Sequence, residues 1–149
     1  MDTTDKAILN LLQSYSSLSL DDIASRVGAS KTPVWNRIKR LKETGVIKRE
    51  VVIVDSESVG LDTCFFVLVK TSEHDANWQS TFLEALRARQ EVVEAHRLAG
   101  EIDYLLKVRV ANARAYDSFY QGLIADVKVF NVTALLSMEE LKYTTALPL

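Results

Sequence analysis

Apolar positions in this chain follow a helical period at first, turn β-branched near residue 46, and then alternate between strand-like and helix-like spacing to the end. Behind the Asp-Thr-Thr-Asp start, Ala7, Ile8, Leu11, Leu12 and Tyr15 share one face and predict a helix over 2–15. Leu20, Ile23, Ala24 and Val27 predict a second helix. Ser19 caps it, Asp22 completes a capping-box-like pair, and Leu18 staples onto Ile23. Gly28 can take the positive φ that ends a helix, and Ala29 and Ser30 complete a turn of helix-turn-helix length. A third helix starts at Ser30 or Thr32, since either hydroxyl can cap it and Pro33 loses nothing in a first turn. Its apolar face is Val34, Ile38 and Leu41; Thr32, Asn36, Lys39 and Arg40 point away, and Gly45 stops it.

Residues 46–55, VIKREVVIVD, read as a strand leaving the three-helix unit, and DSESVG (55–60) breaks the pattern. The expected division is a helix-turn-helix domain over 1–50, a linker strand and loop over 51–62, and a second domain over 63–149. The second domain opens with a strand, Thr63–Lys70, followed by a helix marked by Trp78, Phe82, Ala85 and Leu86. Strands over 92–98 and 104–111 come next, then a helix marked by Tyr116, Phe119, Tyr120, Leu123 and Ile124, and a last strand over 129–138. Strand-helix-strand-strand-helix-strand is the ferredoxin-like βαββαβ order, so the fold class is α+β. The helices of such a fold cover one face of its sheet. In the first strand Cys64, Phe66 and Leu68 lie on one side and Phe65, Val67 and Val69 on the other, so the uncovered face is apolar and predicts a two-fold dimer.

Charge sharpens the picture. Over residues 26–49 eight Lys and Arg stand against Glu43 alone, about +7 in a 149-residue chain of formal net charge −2. Split after Glu50, the first part has nine Lys/Arg against six Asp/Glu, and the remainder nine against fourteen: +3 facing −5. A duplex responds to where cations sit rather than to the total, so an acidic protein can bind DNA through such a segment. At 48% hydrophobic and 26% charged residues the chain has a globular composition. Its longest apolar run is too short for a bilayer, and the acidic, polar start lacks the pattern of a secretory signal, which predicts cytoplasmic residence. Cys64 is alone and lies in a strand pattern, reading as a small buried side chain. His74 and His96 have no companions at metal-ligand spacing, so neither a metal nor another cofactor is expected.

The segments LDDIA (20–24), SKTPVWNRIKRL (30–41), GVI (45–47), GEIDYLL (100–106) and KYTTALPL (142–149), in that order and spacing, resemble the Lrp/AsnC, or feast/famine, regulators over essentially the whole chain. The resemblance implies a winged-helix-like DNA-binding domain, a linker strand, and a ferredoxin-like domain that binds an amino-acid effector. It also implies dimers assembling into octamers or similar rings. It places the effector at the loop of pattern Gly-x-x-Asp between dimers, which puts Ala99, Gly100, Glu101, Asp103, Tyr104 and, on the facing last strand, Thr133 at the site. Gly100 lets a ligand approach the backbone, and Glu101 or Asp103 accepts from an α-ammonium group; read from the residues alone, the loop is also an ordinary hairpin turn. Many relatives carry Ser-Ser where this chain has Thr133, Ala134 and Leu135, a change toward a more apolar ligand or none.

The expected function is sequence-specific regulation of transcription on double-stranded DNA, without catalysis. Thr32, Trp35, Asn36 and Arg40 are placed to meet base edges, with Asn36 suited to adenine and Arg40 to guanine. Lys31, Arg37 and Lys39, with Lys48 and Arg49, hold phosphates, and Ser30 opens the helix that carries them. Trp35, at the edge of the apolar face, is placed equally well to pack inside the domain. Three other classes share parts of this pattern: an architectural DNA-binding protein without an effector, a free-standing amino-acid sensor, and a siroheme-decarboxylase-like enzyme subunit. The last would need tetrapyrrole-facing residues, for which only His96 and Arg97 are available.

Overall fold

The computed structural model describes residues 1–72 and 75–149, so His74, weighed above as a metal ligand, lies outside the described residues. The chain forms two units, Met1–Ile53 together with Leu141–Leu149, and Val54–Glu140.

The first unit holds α1 (Thr3–Ser14), α2 (Leu20–Val27) and α3 (Lys31–Glu43). Asp2 caps α1 through a full capping box with Asp5, each side chain accepting from the other's backbone N–H. Ser19 caps α2 by accepting from the Asp22 N–H, while its hydroxyl donates to the Asp22 carboxylate. Gly28 has φ +66° and is the left-handed residue that ends α2, with Ala29 N–H returned to Ala24. Ser30 is the N-cap of α3, but neither it nor Thr32 supplies the expected capping hydroxyl. Ile8, Ile23, Ala24 and Val34 form the centre of the core, with Leu11, Leu12, Leu18, Leu20, Val27 and Ile38 packed around them. Tyr15 departs from expectation: the helix stops at Ser14 and the tyrosine is exposed.

The strand expected over 46–55 is absent. Val51, Val52, Ile53 and Val54 are irregular and exposed, Val52 to 87%, and no described strand pairs with them. β-Branched composition makes extended backbone easy, but a strand needs a ladder partner, and the described residues offer none.

The second unit is a four-stranded antiparallel sheet of β1 (Thr63–Lys70), β2 (Val92–Arg97), β3 (Tyr104–Val110) and β4 (Asn131–Leu136) in the order β2-β3-β1-β4. With α4 (Ala76–Arg87) and α5 (Ala113–Asp126) this is the ferredoxin-like arrangement. Val67 and Val69 of β1 and Tyr104, Leu106, Val108 and Val110 of β3 pack against Trp78, Phe82, Phe119 and Leu123 of the helices. The opposite face carries Phe66 and Leu68, with Leu105 beside Leu68 and Leu135 beside Phe66 in register; Phe66 is 37% exposed and Leu135 about half exposed. Cys64 is buried as expected.

Residues 141–149 group with the first unit. Leu147 donates its N–H to the Gln13 side chain at 2.6 Å and accepts from it at 3.2 Å. Among the described residues no helix is long and apolar enough to cross a membrane.

Candidate nucleic-acid interface and effector loop

The burial of α3 defines which side chains face solvent. Val34 and Leu41 are buried, Ile38 is half-buried, and Ser30, Lys31, Thr32, Asn36, Lys39 and Arg40 are exposed. Trp35 is 50% exposed, and Lys39 Nζ sits 5.3 Å from its ring centre, a cation–π contact on the outward side of the helix. Most of the cations of α3 have an acidic neighbour. Lys31 reaches Asp21 at 2.8 Å, Lys39 is 3.8 Å from Glu43, and Lys42 reaches Glu50 at 2.7 Å. Those pairs are exposed on both sides and worth little against a phosphate.

Arg37 and Arg40 are held differently. Arg37 Nη1 donates to Asp5 Oδ1 at 2.8 Å and to Asp2 Oδ2 at 2.7 Å, and Arg40 Nη2 donates to Asp5 Oδ2 at 2.7 Å. The Asp5 side chain is only 1% exposed, against 31% for Arg37 and 54% for Arg40. Burial pushes the Asp5 carboxyl up, but the Arg37 hydrogen bond, the Asp2 N–H and Arg40 outweigh it and hold it at about 2. The Asp5 N–H and the Arg37 hydrogen bond also hold Asp2 below the usual carboxylate range, and Asp5 and Asp2 together raise Arg37. Sequence reasoning missed this clamp, because α1 and α3 meet across more than thirty residues of chain.

The second site surrounds the loop joining β2 to β3. Leu98 N–H donates to Asp103 O at 2.8 Å, closing the hairpin, and Asp103 N–H reaches Val69 O at 3.1 Å. Asp103 Oδ2 accepts the Thr71 N–H at 2.9 Å, and Glu101 Oε1 lies 3.0 Å from Lys70 Nζ. These residues open a cavity of about 310 Å³ lined by Lys70, Thr71, Ser72, Glu101, Asp103 and Phe130. Of the six positions singled out in sequence, Glu101 and Asp103 line it. Ala99 and Gly100 are exposed on the adjoining loop, and Thr133 is exposed opposite Leu68 on the helix-free face. Tyr104 instead turns into the core, its ring 4.7 Å from Phe82 and 5.9 Å from Trp78.

Lys70, Thr71, Ser72 and Phe130 were not foreseen. The signal was in the βαββαβ order: antiparallel pairing of β1 with β3 and β4 brings the end of β1 beside the loop before β3 and the start of β4. His96 pairs opposite Leu105 and Arg97 opposite Tyr104, so the two side chains leave β2 on opposite faces and do not converge on one ligand.

A helix-turn-helix unit with an outward basic helix, joined to a ferredoxin-like unit with a polar cavity at its hairpin, is the architecture of a ligand-responsive DNA-binding regulator. A winged helix-turn-helix DNA-binding model matches residues 1–48, and the Lrp/AsnC ligand binding domain model matches residues 64–147. The chain belongs to the Lrp/AsnC family of transcriptional regulators. It is 41% identical over 149 residues to the glutamate uptake regulatory protein of Zymomonas mobilis, covering 100% of this chain and 91% of that protein. An AsnC family transcriptional regulator from Agrobacterium tumefaciens superposes with a TM-score of 0.96 at 42% identity, covering 99% of this chain and 97% of that one. A transcriptional regulator from Neisseria meningitidis, solved as a complex with L-methionine, superposes with a TM-score of 0.95 at 29% identity over 99% of this chain and 96% of that one.

Proposed function

We propose that α3 reads double-stranded DNA in the major groove and that an amino acid bound in the cavity beside residues 98–103 modulates that binding. The observation that carries the first half is the segregation of α3, whose exposed Thr32, Asn36 and Lys39 stand opposite the buried Val34 and Leu41. Thr32, Asn36 and Arg40 meet base edges, Trp35 offers its exposed ring beside them, and Ser30, Lys31, Arg37 and Lys39 hold the backbone. The cavity supports the second half. Lys70 offers a cation for an α-carboxylate, Glu101 and Asp103 offer carboxylates for an α-ammonium group, and Phe130 gives an apolar contact for a side chain. That the Neisseria relative was solved with L-methionine agrees with this chemistry.

The exposed apolar face of the sheet around Phe66 and Leu135, together with Val51, Val52, Ile53 and Val54, supports assembly as a homodimer. We extend that reading to an octamer or similar ring, as the resemblance set out above implies. The protein acts by binding rather than by catalysis, and its DNA target places it in the cytoplasm. Fluorescence anisotropy on a randomised duplex pool before and after selection, with and without each of the twenty amino acids, tests the whole reading. Enrichment of a sequence and a shift in its affinity with one amino acid are expected. Enrichment with no amino-acid response would leave an effector-free regulator, and no enrichment would leave an architectural DNA-binding protein.

A further inference from the structure

The buried carboxylate beneath α3 has a consequence for DNA recognition beyond holding two helices together. At 100° per residue Arg37 and Arg40 lie on one flank of α3, between the buried stripe of Val34 and Leu41 and the outward row of Thr32, Asn36 and Lys39. Asp5 takes one N–H of each arginine from below. A guanidinium carries five N–H donors in a rigid fork, so the half-exposed Arg40 keeps most of its donors free, in a direction already set.

The other acidic partners of α3 behave otherwise. Asp21, Glu43 and Glu50 are exposed and can release their lysines to any phosphate at small cost. Asp5 cannot follow its arginines into solvent, and withdrawing them would strand a buried charge. The arginines therefore reach DNA only from the clamped position.

We propose that Asp5 is a positioning residue for sequence discrimination: its clamp fixes Arg40 for directed base or phosphate contact and prevents Arg37 and Arg40 from binding phosphates indiscriminately. This rests on the reading that α3 enters the groove. Fixing the fork in advance favours the matching sequence, because less side-chain freedom is lost on binding. Cancelling one positive charge lowers the sequence-independent attraction that acts on all DNA alike.

The test compares the full-length protein, Asp5→Asn and Asp2→Ser on a randomised duplex pool, measuring affinity for the unselected pool across salt concentrations and affinity for the sequence enriched by the wild type. For Asp5→Asn, pool binding should tighten several-fold with a salt slope steeper by about one, and the ratio of selected to pool affinity should fall about tenfold. Asp2→Ser retains a capping side chain on α1 but removes only the exposed partner of Arg37, and its ratio should stay within about twofold of wild type. An unchanged ratio in Asp5→Asn overturns the proposal, as does an equal fall in Asp2→Ser, which would make net charge the cause. Should Asp5→Asn not fold, Asp5→Glu serves: it keeps the charge but carries the carboxylate one methylene out of place for both arginines, so pool affinity should hold while the ratio falls, and a constant ratio overturns the clamp. A wild type that enriches no sequence overturns the groove reading and the inference with it, whereas enrichment with an unchanged variant ratio overturns the inference alone.

Discussion

Acid should loosen the DNA-binding unit through one carboxyl group. Asp5 is held at about 2 in the folded protein against an ordinary 3.8, a depression worth roughly 2.5 kcal/mol by the free-energy equivalent of a pKa shift. Half-exposed Arg40 is partly screened by water, which reduces this to about 2 kcal/mol. Because the folded value is depressed, the stabilisation is fully present above the unfolded value and is lost as pH falls through the folded one. Asp5→Asn removes the titrating group, so the stability gap between wild type and variant should be about 2 kcal/mol at pH 7 and smaller by about 1 kcal/mol at pH 3. Urea titrations followed by Trp35 emission measure it, with Trp78→Phe in both proteins so that Trp35 is the only indole. A gap that stays constant from pH 7 to pH 3 would show that the carboxyl is not held down by its arginines.

Other substitutions probe the remaining parts of the two sites. Lys39→Ala should weaken binding to all duplexes by a similar factor and reduce the salt slope by about one; a loss confined to one sequence would instead make Lys39 a base reader. Lys70→Ala should weaken the amino acid found in a thermal-shift screen by roughly tenfold or more, the usual cost of a lost charge-assisted bond, and undiminished stabilisation would remove Lys70 from the site. Phe66→Lys places a charge at the centre of the open sheet face and should yield monomers by light scattering with helical content intact. A wild-type mass would point the dimer interface elsewhere.

Elements with a strong period were readable from the chain. β1 occupies the expected residues, and α4 buries all four of its marker side chains, because amphipathic spacing reports burial directly. The 46–55 segment shows the limit of that signal. Its composition permits a strand, yet pairing depends on a second segment that the chain alone does not bring to it. The same limit hid the Asp5 clamp: Arg37 and Arg40 looked like free cations because ion pairs between distant helices leave no periodic trace. Among the residues lining the cavity at the loop between β2 and β3, Glu101 and Asp103 stand in the Gly-x-x-Asp pattern, whereas Lys70 and Phe130 arrive only through strand register. The burial of Tyr104 has a related origin, since alternation along β3 sends it to the helix-covered side.

The bonds between Gln13 and Leu147 mean that the polypeptide passes from one unit to the other twice, near residue 54 and again near residue 141. A protease nick in the exposed valine-rich stretch would sever the piece carrying α1–α3 from the rest of the chain, and only non-covalent contacts such as those between Gln13 and Leu147 would hold the two pieces together. A fluorophore or affinity tag fused after Leu149 would emerge on the DNA-reading half, within reach of α1, and not on the sensing half from which β4 departs.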